Sequence, residues 1–486
     1  MSIKLQDLEK YLWGAATLLR GVIDAGDYKQ YIFPLLFYKR ICDVYDEERK
    51  RAIKEMGGDF SENHRFQIPK GSHWNDVRQV TVNVGQSLQN ALRKIEKANQ
   101  DTLYGIFGDA SWTNKERLSD EIVTDLLEHF SQQDLSIANV PNDELGVAYE
   151  FLIKKFADDS GHTAAEFYTN RTVVHLMTLI SNPQPGESIY DPTCGSGGML
   201  LNCVNHLKEN CKEYRTLKLY GQELNLMTSS IARMNMFLHG IEDFQIVRGD
   251  TLSDPKFIEN DKLKNFDVIL ANPPYSVKRW NRDAWMSDPY GRNMWGTPPQ
   301  GCADYAFQQH ILKSLKPKRG RSVVLWPHGV LFRDSEKVFR EKMLQDDVVE
   351  AVIGLGPNLF YNSPMEACLL VTNLNKPKER KGKVLFINAV KELKRENASS
   401  RLEEMHIQKI FEAFKNFEDV EKFSRVVSGK EIIKNNANLS ITLYVSNNGK
   451  PEDKKEISIV VSEWLESTEK SKKDMKDLLD VLDKEV

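Results

Sequence analysis

The residues with the clearest chemical purpose are Asn272-Pro273-Pro274-Tyr275, which directly follow a strand-like apolar run, Phe266–Ala271. The Asn272 side-chain oxygen and the Pro273 carbonyl can accept both hydrogens of an amino group attached to an aromatic ring. Such hydrogen bonds draw the nitrogen toward tetrahedral geometry and free its lone pair to attack a methyl sulfonium. The prolines stiffen the loop, and the Tyr275 ring can stack on a planar group such as a base taken out of a duplex. We therefore predict that these four residues are catalytic, although a plain proline-rich turn has the same composition.

A glycine-rich turn upstream offers a place for a ligand. Residues Asp191–Leu200 read Asp-Pro-Thr-Cys-Gly-Ser-Gly-Gly-Met-Leu, follow a strand pattern and lead into a helical pattern. Glycines let the chain turn sharply and let a ligand approach the backbone. No Gly-Lys-Ser/Thr follows, and Leu200 stands where a dinucleotide-binding turn has its third glycine. The turn therefore suits a nucleoside without a pyrophosphate, although a tight strand–helix connection would look the same.

Two acidic residues follow the next two strand patterns. Glu223 ends the first of these runs, where a carboxylate can accept hydrogen bonds from both ribose hydroxyls. Asp250 ends the second, where a carboxylate can bind an adenine amino group or simply cap a turn. Both acids are candidates for the same ligand site as the glycine turn.

The elements that must position these residues belong to a segment in which strand and helix patterns alternate, which indicates a parallel sheet covered by helices. Its strand-like runs are Ser188–Tyr190, Leu217–Tyr220, Phe244–Val247, Asp267–Leu270, Ser322–Trp326, Val348–Ile353, Ala367–Thr372 and Lys383–Ile387. We predict three regions: a helical domain at 1–140, an α/β domain at 145–390, and a charged, mainly helical region at 391–486. The last of these ends in an amphipathic stretch, Trp464–Leu482, typical of a partner-binding helix or of a helix that folds back on its own core.

Composition sets further bounds. The 486 residues include 66 Lys and Arg, 70 Asp and Glu, and 41% hydrophobic residues, a globular balance that excludes general disorder. No apolar run approaches the roughly 18 residues of a membrane span, and no signal-peptide pattern is present. The six cysteines form no CxxC pair and show no zinc-ligand spacing. We therefore expect no membrane association, no metal, and reduced thiols in a cytoplasmic protein.

Taken together, Asp191–Leu200 and Asn272–Tyr275 resemble the S-adenosylmethionine-dependent amino-methyltransferases of DNA. The similarity is closest to the modification subunit of type I restriction–modification systems. It extends to four further segments: Glu166–Arg171, Ala303–Leu312, Pro327–Arg333 and Val352–Tyr361.

The resemblance implies a Rossmann-like, seven-stranded methyltransferase domain behind the helical domain, with S-adenosyl-L-methionine as cofactor. It implies methyl transfer to the N6 amine of adenine at a specific DNA site, with Asn272, Pro273, Pro274 and Tyr275 as catalytic residues. The predicted cofactor-binding residues are Glu166, Phe167, Tyr168, Thr169, Asn170, Arg171, Asp191, Thr193, Gly195, Ser196, Gly197, Gly198, Glu223 and Asp250. The family usually has proline at the position of Asn170.

The sequence offers no helix-turn-helix or zinc module that would read DNA. The resemblance therefore implies a separate specificity subunit on double-stranded DNA, bound by two copies of this chain, and it allows a restriction subunit to join. Two alternatives stay open: a solitary amino-methyltransferase, on adenine N6 or cytosine N4, that reads DNA with its C-terminal region, and a protein-glutamine methyltransferase. A cytosine-C5 enzyme is disfavoured because no Pro-Cys pair provides its nucleophile.

Overall fold

The computed structural model describes residues 3–159, 168–359, 365–396 and 399–445. The helices are α1 (Leu5–Leu19), α2 (Tyr28–Met56), α3 (Trp74–Arg78), α4 (Val84–Ala98), α5 (Gln100–Leu103), α6 (Asp120–Phe130), α7 (Asn142–Asp159), α8 (Arg171–Ser181), α9 (Gly198–Glu209), α10 (Leu226–Leu238), α11 (Arg282–Met286), α12 (Asp304–Lys313), α13 (Lys337–Gln345), α14 (Glu404–Asn416), α15 (Gly429–Lys434) and α16 (Ile441–Tyr444). The strands are β1 (Ser188–Asp191), β2 (Lys218–Glu223), β3 (Phe244–Arg248), β4 (Ile258–Glu259), β5 (Lys262–Leu263), β6 (Val268–Ala271), β7 (Arg321–Pro327), β8 (Val349–Leu355), β9 (Ala367–Asn373), β10 (Lys383–Ala389), β11 (Lys394–Glu396), β12 (Ser399–Arg401) and β13 (Ser424–Ser428).

The N-terminal helices pack around one apolar core. Apolar residues recur at helical spacing along α1 and along the first half of α2, and these residues are buried. We predicted that this helical region ends at residue 140, but its core continues through α7 and onto one face of α10. Met227, Ile231, Met234, Phe237 and Leu238 of α10 belong to it. The opposite face of α10 packs through Ala232 and Met236 into the core under the sheet.

The large sheet of the described residues has the strand order β13-β10-β8-β9-β7-β6-β1-β2-β3. Strand β9 is antiparallel to both neighbours, β13 is antiparallel to β10, and the other pairs are parallel. Every predicted strand run forms a strand of this sheet. The predicted seven-stranded arrangement corresponds to β3 through β8 in that order, and β10 and β13 widen it.

The described part of the C-terminal region contains three strands where a mainly helical structure is predicted. Strands β11 and β12 pair with each other, and β13 joins the large sheet. Residues Ser424–Ser428 form strand β13, because they pair with the free edge of β10 over five residues. Within this strand Val427 is buried and Arg425 is exposed. The strand therefore shows only a weak apolar pattern in a charged part of the sequence. The predicted amphipathic stretch Trp464–Leu482 lies outside the described residues.

The sheet explains why the predicted motifs meet. Strand β1 lies between β2 and β6, and all three strands are parallel. Their carboxyl ends therefore lie side by side at the point where the strand order reverses, which is where open α/β sheets bind ligands. Asp191, Glu223 and Ala271 are the last residues of these three strands. No described helix is both long and apolar enough to cross a membrane.

Candidate functional site

The glycine turn lies directly against the end of β2. Gly195 and Gly197 have φ angles of 51° and 79°, in the left-handed region that favours glycine. The Gly195 N–H donates to Glu223 Oε2 at 3.1 Å, and the Cys194 N–H donates to the Gln222 carbonyl at 3.0 Å. The turn is thus fixed to its neighbouring strand by its own backbone.

A cavity of about 320 Å³, partly open to solvent, joins the two sequence motifs. It is lined by Thr169, Arg171, Asp191, Thr193, Cys194, Gly195, Ser196, Gly198, Met199 and Asn272. The Thr193 hydroxyl oxygen is buried and has no hydrogen-bond partner in the described structure. A buried polar atom of this kind is usually satisfied by a ligand or water. The donor and acceptor set fits a cofactor with an amino-acid portion and a nucleoside portion.

Asp191 is the buried acid of this cavity, with a relative exposure of 2%. Burial raises the pKa of its carboxyl to about 8, and the nearby negative charge of Glu223 acts in the same direction. The Thr193 N–H, which donates to Asp191 Oδ1 at 3.0 Å, opposes the shift. A cationic group in the cavity would favour the ionised carboxylate.

An ion pair that the sequence analysis missed supports the turn from the helical side. Arg171 Nε donates to Glu150 Oε2, on α7, at 2.5 Å, and Arg171 Nη2 reaches Ser196 Oγ at 3.3 Å. Asn235, on α10, donates to Glu150 Oε1 at 2.6 Å and to the Ser196 carbonyl at 3.0 Å. Burial opposes ionisation of Glu150, but the Arg171 guanidinium outweighs it and holds the pKa of that carboxyl below its ordinary value. Glutamates are common on helix surfaces, so Glu150 carried no signal in the sequence.

Gly198, at the start of α9, makes room for the Arg171 side chain. A Cβ atom placed on Gly198 would lie 1.9 Å from Arg171 Nη1. No heavy atom can approach that closely, so any larger residue would displace the guanidinium. This glycine is needed for close packing rather than for a turn.

The predicted catalytic loop begins in the same cavity. Asn272 Nδ2 donates to Thr169 Oγ1 at 3.1 Å, and the Tyr275 hydroxyl donates to Asn272 Oδ1 at 2.8 Å. Burial raises the pKa of Tyr275 well above its ordinary value, so the hydroxyl stays a donor. A carbonyl oxygen has two lone pairs, so Asn272 Oδ1 can accept a second hydrogen. The contact between the Tyr275 hydroxyl and Asn272 was not predicted.

Three other predicted site residues contact neighbouring parts of the protein. Tyr168 is buried, and its ring lies 4.6 Å from the Arg171 guanidinium carbon. Asn170 caps α8, with its side chain accepting from the Thr172 N–H at 3.0 Å. Asp250 accepts from the Leu252 N–H at 3.0 Å and from Ser253 Oγ at 2.9 Å, as a turn-capping residue does. Among the predicted site residues that the structure describes, eight do not line the cavity: Tyr168, Asn170, Gly197, Glu223, Asp250, Pro273, Pro274 and Tyr275.

Two further predicted cofactor-binding residues, Glu166 and Phe167, lie outside the described residues.

The strand order, the glycine turn and the amide loop together define a Rossmann-like methyltransferase. Comparison with known protein families supports this class. The family described as N-6 DNA Methylase matches residues 140–453, and the HsdM N-terminal domain family matches residues 8–130. The chain belongs to the N-6 DNA methylase family.

Curated relatives are methylase subunits of type I restriction enzymes. Two from Methanocaldococcus jannaschii, the MjaVII and MjaVIII methylase subunits, are 32% and 33% identical to this chain. The alignments cover 88% and 93% of this chain and 76% and 81% of those relatives. The crystal structure of a type I restriction-modification methyltransferase subunit from Streptococcus thermophilus is 30% identical, with a TM-score of 0.79. That match covers 91% of this chain and all of the other. The chain is therefore an adenine-specific DNA methyltransferase of the type I methylase-subunit class, with S-adenosyl-L-methionine as its cofactor.

Proposed function

We propose that Asn272, Pro273, Pro274 and Tyr275 bind the 6-amino group of an adenine that has rotated out of the DNA duplex. One observation carries this assignment: Asn272 lines the same cavity as the glycine turn. An amine bound at Asn272 Oδ1 therefore faces the ligand of that turn. Its second hydrogen reaches the Pro273 carbonyl, and the Tyr275 ring stacks on the base.

S-adenosylmethionine, when bound, supplies an electrophilic methyl group on a sulfonium. The residues around the glycine turn hold it: Asp191 and Thr193 offer polar contacts to its amino-acid portion, and Glu223 accepts from ribose hydroxyls. Glu223 Oε2 accepts from the Gly195 N–H at 3.1 Å, so this carboxylate is oriented toward the turn. Asp250 makes its hydrogen bonds within its own turn. These bonds support a role in positioning that turn beside the adenine of the cofactor more than a direct hydrogen bond to it.

The three regions divide the work. Residues 145–390 carry catalysis, the helical region at 1–140 serves docking, and residues 391–486 bind a partner. The relatives are named as subunits of restriction enzymes, which supports a cytoplasmic complex on double-stranded DNA with a specificity subunit. In this complex two copies of the chain bind one specificity subunit, and a restriction subunit can join them.

Sequencing of modified bases tests both the chemistry and the assembly. DNA is incubated with S-adenosylmethionine and the chain, with and without the specificity subunit of its host, and modified positions are mapped. We expect N6-methyladenine at one sequence, and only with the specificity subunit present. The Asn272→Ala chain in the same complex is the control for contaminating methylases. N4-methylcytosine would contradict the base assignment, and site-specific methylation by the chain alone would contradict the assembly.

A further inference from the structure

Ser276, the residue directly after Tyr275, adopts an unfavourable backbone conformation. Its φ angle is 50°, in the left-handed region that side-chain-bearing residues seldom occupy. Its N–H donates to Asp304 Oδ1 at 2.7 Å. Such strain persists at functional loops only when surrounding contacts hold it. Asp304 supplies such a contact at the end of the catalytic loop, and Arg333 Nη2 lies 3.5 Å from Ser276 Oγ.

Asp304 is itself held by charge. Its side chain is fully buried at the start of α12, and Arg333 Nη1 donates to Asp304 Oδ2 at 2.9 Å. The same nitrogen lies 3.2 Å from both carboxylate oxygens of Glu336, whose side chain is also fully buried. A buried carboxylate stays ionised only where a cation and hydrogen bonds compensate its loss of hydration. The Arg333 guanidinium thus lies between two buried acidic side chains.

Cys302 completes this cluster, and its thiol donates to Asp304 Oδ2 at 3.1 Å. The ligand atoms of Cys302, Asp304 and Glu336 lie within 4.8 Å of one another, as a metal site would require. Arg333 Nη1 contacts all three side chains, however, and supplies the positive charge itself. The arrangement is that of a structural ion cluster.

We propose that Asp304, oriented by Arg333, is a positioning residue for the catalytic loop. Through the Ser276 N–H it sets the backbone direction after Tyr275, and thereby the placement of the hydroxyl that holds Asn272 Oδ1. Thr169 fixes the other end of the loop through Asn272 Nδ2. The segments Ala303–Leu312 and Pro327–Arg333, which lie apart in the sequence, thus meet on the same loop. This inference rests on the proposed catalytic role of Asn272–Tyr275.

Kinetics of Asp304 variants in the complete methylase complex test the proposal. Loss of loop positioning by Asp304→Ala should lower kcat about 100-fold, while the dissociation constant of S-adenosylmethionine stays near that of the unaltered chain. Asp304→Asn keeps an oxygen acceptor for the Ser276 N–H, so it should lose less activity. Adding Ser276→Gly to Asp304→Ala should recover part of the lost kcat, because glycine adopts a positive φ without a steric penalty.

A control removes another arginine–carboxylate pair, a partly exposed one, from the opposite end of the sheet. Glu187 accepts from Arg321 Nη1 and Nη2 at 2.9 and 2.8 Å, beside the first residues of β1 and β7. Glu187→Ala should lower the melting temperature without changing kcat per folded molecule.

Two results would overturn the positioning role: Asp304→Ala that keeps kcat per folded molecule, as Glu187→Ala does, or no recovery on adding Ser276→Gly. If Asp304→Ala does not fold, the kcat of Asp304→Asn is compared with that of the Asp304→Asn, Ser276→Gly double variant. The double variant should again have the higher kcat. Full activity of Asn272→Ala would instead refute the catalytic assignment itself, so the two failures are distinguishable.

Discussion

The two halves of the site are built in different ways. The cofactor side is a strand–turn–helix connection. Its own N–H groups at Cys194 and Gly195 bond to the neighbouring strand, and the Arg171–Glu150 ion pair supports it from the helical side. The target side is a short loop that distant side chains hold. Thr169, 103 positions away, anchors Asn272, and Asp304, 28 positions away, anchors Ser276.

Substitutions in the two halves should therefore change different measured quantities. The glycine turn and the ion pair that supports it are proposed to hold the cofactor, so substitutions there should change the affinity for S-adenosylmethionine. Side-chain contacts fix the target side, so substitutions there should change kcat.

Asn272→Ala removes the amide oxygen that binds the target amine. We expect kcat to fall by about 10²- to 10³-fold, the range seen when one preorganised polar group is removed from a reacting centre. Single-turnover methylation and calorimetric titration of S-adenosylmethionine measure the two effects separately. A matching loss of cofactor affinity would show that the two sides are not independent.

Two variants of Tyr275 distinguish the contribution of ring stacking to kcat from that of the hydroxyl hydrogen bond. Tyr275→Ala removes both the ring and the hydroxyl that donates to Asn272 Oδ1 at 2.8 Å. Tyr275→Phe removes only the hydroxyl, and a typical net hydrogen bond of about 1 kcal/mol corresponds to a loss of about fivefold. We expect a clearly larger loss of kcat for Tyr275→Ala, measured with saturating DNA. Equal losses would assign the whole effect to the hydroxyl.

Gly198→Ala tests the cofactor side. The new Cβ would overlap the Arg171 guanidinium, 1.9 Å away, and displace it from Ser196 and Glu150. Loss of a charge-assisted hydrogen bond costs about 1.5–3 kcal/mol, so affinity for S-adenosylmethionine should fall about tenfold or more, with kcat at saturation less affected. Gly26→Ala is the control for steric overlap, because no atom lies within 4 Å of the added carbon and the backbone of Gly26 is outside the left-handed region. A fall in kcat alone would contradict the division between the two halves.

The pH dependence of cofactor binding gives the finest test. Asp191 has a pKa raised to about 8 by burial, so below that pH the ligand-free carboxyl carries a proton. The cationic cofactor favours the carboxylate, so its binding releases a proton, and affinity should rise with pH until about 8. Calorimetry at pH 7 in two buffers of different ionisation enthalpy measures this proton. Asp191→Asn should abolish the dependence, and an unchanged proton release in that variant would assign it to another group.

The raised pKa of Asp191 also affects the free energy of unfolding. Because the folded chain keeps a proton that the unfolded chain loses above about pH 4, the ligand-free protein should lose stability as pH rises from about 4 to about 8. Thermal unfolding with and without Asp191→Asn measures this trend.

The predicted strands and the glycine turn could be identified from sequence because their signals are local. The short apolar runs that lead to Asp191, Glu223 and Asn272 are typical of buried strands. The parallel arrangement of these strands brings their ends together. Strand β13 escaped because its pairing with β10 depends on a free sheet edge. Glu150 and Asp304 escaped as site residues because each acts on a residue distant in the sequence, and no local pattern distinguishes such an acid from a solvated one.

Helix α10 has a practical consequence for dissecting the chain. One of its faces packs with the N-terminal helices and the other with the sheet. A catalytic fragment cut at residue 145 would expose Met227, which lies against Gly108, and Phe237, which packs on Phe37 and Phe66, and would aggregate. The enzyme is therefore best purified, crystallised and engineered with its first 140 residues attached.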